Sequence, residues 1–120
     1  MSKKRIPQRG DIYWIDPNPV AGKEMKNTHP FVVITLKEIN RLGVAMTVPI
    51  ISGGNFARDM GLTVAISGYE TTGIAVCNQV RSFDIEERVK QGSAKYIETL
   101  NDYLINEIVA RVVSVIDPAV

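Results

Sequence analysis

His29 is the single histidine of the 120-residue chain, and it shares a polar loop with Lys23 and Lys26. An imidazole is the side chain best suited to accept or donate a proton near neutrality. Metal-based chemistry is not expected, because one histidine and one cysteine cannot build a zinc site and no acidic cluster has calcium-loop spacing. No phosphate-binding glycine motif occurs either: Gly53-Gly54 lies in turn chemistry, without the lysine or helix start such motifs require. Cys77 sits inside an apolar run and reads as a buried, inert thiol rather than a nucleophile. What is left is chemistry without a cofactor, and RNA cleavage is its leading case. RNA carries its own nucleophile in the ribose 2′-hydroxyl. A protein then supplies a proton acceptor, a proton donor for the departing 5′-oxygen, and cations or amides for the charged intermediate. His29 fits either proton role, and Lys23 and Lys26 could hold phosphate. From composition alone, a loop histidine without a chemical role is the somewhat favoured reading.

The elements that would position these residues are mostly short strands. Asp11–Asp16 is rich in β-branched and aromatic residues and reads as a strand stopped by Pro17-Asn18-Pro19. Residues 17–29 form a long polar connection, a length usually functional or disordered in a compact domain. Phe31–Leu36 reads as a buried strand, Lys37–Leu42 as one or two helical turns, and Val44–Ile51 as a strand in which Pro49 favours an edge or bulge. Ser52-Gly53-Gly54-Asn55 is a turn, Leu62–Ser67 a strand, Gly68–Gly73 a turn, and Gly73–Val76 the start of a strand running irregularly towards Phe83. From Ile97 the period changes. Ile97, Leu100, Leu104, Ile108, Val112 and Val115 follow helical spacing, with Thr99 as N-cap and Pro118 closing the helix. Tyr103, Ile105, Val109 and Ile116 widen the apolar face, which fits deep burial and partner contact equally. Strands followed by one terminal helix imply an α+β domain with a small, strongly bent sheet.

Size and charge bound the rest. A chain of 120 residues makes one domain, 1–120, with residues 1–8 expected as a flexible basic tail. Hydrophobic residues are 45% and charged residues 22%, which argues against disorder. No apolar run approaches the ~18 residues of a membrane span. The basic N-terminus is followed by Ile6-Pro7-Gln8-Arg9-Gly10-Asp11 rather than an apolar stretch, and the single cysteine excludes an intrachain disulfide. A cytoplasmic, reducing compartment is therefore expected. The net charge of +1 hides an asymmetry: residues 1–30 carry +3 and residues 84–120 carry −3. Basic charge gathered at one end marks either a surface facing a polyanion or a solvated tail with a charged loop.

Gly10-Asp11-Ile12-Tyr13-Trp14-Ile15-Asp16-Pro17, the loop Val20-Ala21-Gly22-Lys23-Glu24 and His29-Pro30 resemble the opening of the MazF/PemK (Kid, ChpB-like) type II toxin family. Val48-Pro49-Ile50-Ile51-Ser52-Gly53-Gly54-Asn55-Phe56-Ala57-Arg58 resembles the second block of that family. Thr71-Thr72-Gly73 and Asn78-Gln79-Val80-Arg81-Ser82-Phe83-Asp84 resemble the third. The resemblance implies a small SH3-like β-barrel of CcdB/MazF type with a C-terminal α-helix, acting as a homodimer. It also implies a metal-independent endoribonuclease that cuts single-stranded RNA to cyclic phosphate and 5′-hydroxyl ends. A cognate antitoxin with an acidic C-terminal segment would neutralise it, and DNA would be met only through that antitoxin. Carried over by position, His29, Lys23, Ser52 and Asn78 are the catalytic candidates. Glu24, Lys26, Arg58, Thr72, Gln79 and Arg81 are the RNA-binding candidates, with no cofactor. The chain departs from the pattern where His29 stands in place of the usual catalytic arginine. Ile51 replaces a threonine, and Val76 and Asn78 flank Cys77 where the PemK branch has an arginine and an aspartate, although the ChpB branch also has asparagine before Gln-Val-Arg. A guanidinium is a permanent bidentate cation for phosphate, whereas histidine is mostly neutral at pH 7 but transfers protons well. Two other functions stay open: an impaired homologue that binds RNA or antitoxin without cutting, and a CcdB-like gyrase poison.

Overall fold

A computed structural model describes residues 4–18, 22, 27–52 and 62–117 of the chain. In chain order the elements are β1 (Asp11–Ile15), β2 (His29–Val33), α1 (Lys37–Asn40), β3 (Ala45–Ile51), β4 (Thr63–Ile66), β5 (Gly73–Val76), β6 (Arg81–Phe83), α2 (Ile85–Lys90), β7 (Ala94–Thr99) and α3 (Asp102–Ile116). The strands pair antiparallel in the order β4-β5-β3-β2-β1-β7, with β6 added to β3. The α+β class expected from the sequence is what the chain adopts.

Strand β3 is the hinge of the sheet. Its first half pairs with β6 (Thr47 opposite Arg81) and its second half with β5 (Ile51 opposite Ile74). Pro49 falls between those two pairings, where a residue without an N–H costs no ladder bond. Proline thus sits within a central strand, at the point where it changes partner.

Both faces of the sheet are covered, which explains the continuous apolar run in β2. On one face Ile12, Val32, Val48 and Ile50 pack with Ile105, Ile108 and Val112 of α3. On the other, Tyr13, Ile15, Phe31 and Val33 pack with Phe83 and with Ile85 of α2. Successive residues of β1 and β2 alternate between the two clusters, as the pleat requires.

The C-terminal region corrects the sequence reading. Ile97 belongs to β7 and Leu100 to the connection after it, so the helix starts later than expected. Its N-cap is Asn101, whose side chain accepts from the Leu104 amide at 2.9 Å. Thr99 is instead a strand residue, its hydroxyl donating to Asp11 at 2.7 Å. Tyr96, Ile97 and Thr99 favour a strand, and pairing with β1 outweighed the helical spacing. Helix α2 had no counterpart in that reading; its N-cap is Asp84, whose carboxylate accepts from the Glu87 amide. The apolar face of α3 divides: Ile105, Ile108 and Val112 are buried, whereas Tyr103, Val115 and Ile116 are exposed. Pro118 lies outside the described residues.

Residues 5–8 of the expected tail contact the body. Asp11 is fully buried and takes both arms of the Arg5 guanidinium, at 3.0 and 2.9 Å, together with the Gln8 amide and the Thr99 hydroxyl. The same guanidinium lies 4.0 Å from the centre of the Tyr96 ring. Asn40 Nδ2 donates to the Pro7 carbonyl at 2.8 Å. Among the described residues, no helix is long and apolar enough to cross a membrane.

Candidate active site

The start of β2 delivers His29 and Pro30, and the end of β3 delivers Ile50 and Ser52. The β4–β5 turn adds Glu70, Thr71 and Thr72, while β1 and β7 add Trp14 and Ile97. Together these residues line one open cavity of about 390 Å³. Such a volume falls within the ordinary range of small-ligand sites.

Three devices hold this shape. Glu98 on β7 accepts the Thr71 amide at 2.6 Å and the Glu70 amide at 3.3 Å, so one carboxylate fixes the turn that carries both threonines. A β-bulge in β7 leaves Ile97 without an opposite residue, because Ile12 faces Glu98 while Tyr13 faces Tyr96. The bulge re-aims Ile97 towards the cavity. Gly73 has φ +147°, and a Cβ there would come within 2.1 Å of the Ile51 carbonyl oxygen. Only glycine lets β5 approach β3 this closely and set Thr72 beside Ser52.

Of the candidates read from the sequence, His29, Ser52 and Thr72 converge on this cavity. Asn78 and Gln79 lie in the turn after β5, where the Gln79 amide donates to the Val76 carbonyl. Strand β5, about 13 Å long at roughly 3.3 Å per residue, separates that turn from Thr72. Arg81 lies on β6 with its guanidinium 5.0 Å from the Phe83 ring centre, and its carbonyl accepts from the Thr47 hydroxyl. Within one chain these three residues do not line the His29 cavity. Lys23, Glu24, Lys26 and Arg58 lie outside the described residues.

Trp14, Glu70, Thr71, Ile97 and Glu98 were not among the site candidates read from the sequence. Trp14 carried a signal: an aromatic between two buried neighbours of an alternating strand must face away from them. Glu98 carried none, since its segment reads as the approach to a helix.

Burial decides the other titratable candidates. It pushes the Cys77 thiol up to about 11 and the Tyr13 phenol up to about 12. Cys77 is fully buried and protonated at neutral pH, so it is no nucleophile. Among the described residues, no group of three or more His, Cys, Asp or Glu side chains could hold a metal.

The sequence profile of the family described as the PemK-like, MazF-like toxin of type II toxin–antitoxin systems matches residues 8–116. The chain belongs to this family. It is 32% identical over 117 residues to Endoribonuclease PemK of Escherichia coli, covering 95% of this chain and 85% of that protein. It is 33% identical over 120 residues to Endoribonuclease toxin ChpB of Escherichia coli K12, covering 98% and 100%. The fold matches the crystal structure of MazF from Deinococcus radiodurans with a TM-score of 0.80 at 19% identity, over 93% of this chain and 97% of that one. The toxin-family resemblance and the MazF-type fold expected from the sequence both hold.

Proposed function

We propose that the chain is a toxin that cleaves single-stranded RNA, and that the His29 cavity is where it does so. The observation that carries this reading is the convergence of His29, Ser52 and Thr72 on one cavity in a member of this family. In the reaction the 2′-oxygen attacks the adjacent phosphorus and the bond to the 5′-oxygen breaks. The 2′-proton leaves to a base, and the departing oxygen takes a proton. His29 serves these transfers, while the Ser52 and Thr72 hydroxyls donate to phosphate oxygens. Lys23 supplies the cation that arginine gives elsewhere in the family. Asn78 and the RNA contacts of Glu24, Lys26, Arg58, Gln79 and Arg81 remain assigned by motif position.

The toxin works as a homodimer in the cytoplasm and is neutralised by a cognate antitoxin through an acidic segment. Exposed Leu36, Ile39, Leu42 and Val44 around α1, with Val115 and Ile116 of α3, offer apolar surface to a second copy. The whole chain acts as one domain.

A long single-stranded RNA incubated with the protein in EDTA tests the reading. Cutting to 2′,3′-cyclic phosphate and 5′-hydroxyl ends is expected, and a 2′-methoxy group at the cut site should abolish it. Cutting of the methoxy substrate, or a need for added magnesium, would overturn this mechanism. Gel shift without cutting identifies an RNA-binding module, and neither effect points to a protein target.

A further inference from the structure

Trp14 lines two cavities. One holds His29; the other, of about 290 Å³, is lined by Asp16, Thr28, Gln91, Ser93 and Lys95 among others. Trp14 is 44% exposed although β1 is paired on both sides, and it is the one tryptophan of the chain. The two cavities follow one another along β7, the first at Ile97 and the second at Ala94 and Lys95.

We propose that Trp14 is a stacking wall for a nucleobase and that the cavity at Thr28, Gln91 and Lys95 is a second nucleotide subsite of the same RNA groove. This rests on the endoribonuclease reading and names the part of the substrate that the reading leaves open. Two to three strand residues separate the cavities, about 7–10 Å. That exceeds the roughly 3.4 Å rise per nucleotide of a stacked strand. A single strand lying here holds its bases splayed apart, the form in which proteins read RNA by stacking and by base edges.

The chemistry of the subsite fits a nucleotide. Thr28, Gln91 and Ser93 offer donors and acceptors to a base edge, and Lys95, directly opposite Trp14 in the β1–β7 register, offers a cation to phosphate. The walls are fixed before any ligand arrives. The Asp16 amide donates to the Ser93 carbonyl at 2.9 Å, and the Arg88 guanidinium donates to the carbonyls of Asp16 and Asn18. The neighbouring aromatics lack this freedom. Tyr13 and Tyr96 meet edge to face at 5.5 Å, and Arg5 covers the Tyr96 ring.

Because Trp14 is the sole tryptophan, its fluorescence reports on the proposed contact directly. The intact protein is titrated with a 2′-methoxy oligonucleotide carrying a site mapped by cleavage of a long heteropolymeric RNA. Saturable quenching is expected. Trp14→Ala should weaken binding and raise KM by roughly 5- to 150-fold, the range of base–aromatic stacking, with kcat within about twofold. Trp14→Phe should recover most of the loss, and Gln91→Ala or Lys95→Ala should raise KM without disturbing the fold. RNA that is cut while Trp14 emission stays constant and the Ala variant keeps its KM would overturn the stacking wall alone. Absence of both cutting and quenching would overturn the parent reading with it. Quenching by an acidic peptide but not by RNA would reassign the cavity to a protein ligand.

Discussion

Gly73→Ala tests whether the close approach of β5 to β3 holds the site together. The new Cβ would lie 2.1 Å from the Ile51 carbonyl oxygen and 3.3 Å from Ile50 Cγ2. The oxygen is main chain within a paired strand and cannot rotate away, so the strands must part by about 1 Å. Parting them strains the Ile51–Ile74 pairing, and the φ of +147° adds the cost of a conformation that alanine avoids. Backbone strain of about 1–3 kcal/mol and an overpacking term of about 1–3 kcal/mol together give roughly 2–6 kcal/mol. A chain of this size gains about 250 cal/mol/K of entropy on unfolding, so 3 kcal/mol lowers Tm by roughly 12 °C. Gly68→Ala is the control, because its φ of +84° is also unfavourable but a Cβ there meets nothing within 4 Å. It should cost about 1–2 kcal/mol. Thermal unfolding of both variants at one protein concentration decides the matter. If Gly73→Ala shifts Tm no further than Gly68→Ala, the close approach is not rigid and the reasoning fails. RNA cleavage measured well below the variant's Tm should fall as well, since Thr72 and Ser52 flank the strained contact.

Other expectations follow from the same geometry. His29→Ala should lower kcat by about 100- to 10,000-fold, the usual contribution of a general acid or base, with RNA affinity little changed; unaltered turnover would remove His29 from the mechanism. Arg5→Ala leaves the buried Asp11 carboxylate with the Gln8 amide and Thr99 hydroxyl alone. Because the Arg5 side chain is 40% exposed, the cost in chemical denaturation should be about 2 kcal/mol, below the range for a fully buried pair. Burial raises the Cys77 thiol from 9.0 to about 11 and the Tyr13 phenol from 10.0 to about 12. Both groups therefore bind protons more tightly folded than unfolded, so stability is full below pH 9 and declines as pH rises towards 12. Denaturant melts across that range should show the decline, and Cys77 should resist alkylation at pH 7.5 until the chain unfolds.

Legibility of the fold followed the locality of its signals. Strands β1 to β5 announce themselves through β-branched residues bounded by proline, glycine and polar turns, and their observed bounds fall within three residues of those expected. The sequence from Ser93 onward misleads because Ile97 and Leu100 continue the helical spacing of α3 backwards into β7. What overrides the spacing is non-local: the β1 edge, the Asp11–Thr99 hydrogen bond and the bulge at Ile97. No window of sequence contains β1 and β7 together. The site behaves likewise. His29 was reached through its chemistry and its motif position, and Ser52 and Thr72 through motif position alone, whereas Glu98 depends on a pairing 27 residues from Thr71 and was invisible.

The charge asymmetry illustrates why placement outweighs composition. Three of the six cations in residues 1–30 are committed away from the His29 cavity. Arg5 serves Asp11, Arg9 donates to Asn106 at 2.6 Å, and Lys4 lies with Lys90 and Glu86 beside Tyr13. Tyr13 and Trp14 are successive strand residues and face opposite ways, so Lys4 stands across the sheet from Trp14. Within the described cavity the charged or titratable side chains are His29 and Glu70. The basic excess of the first thirty residues therefore does not by itself make that cavity attractive to phosphate. On the proposed function, cations for RNA come from Lys23 and Lys26 of the preceding loop, from Arg58 and Arg81 by motif position, and from Lys95 beside Trp14. On the proposed function, neutralising Lys23 or Lys95 should flatten the salt dependence of RNA binding, whereas neutralising Lys4 should leave it unchanged.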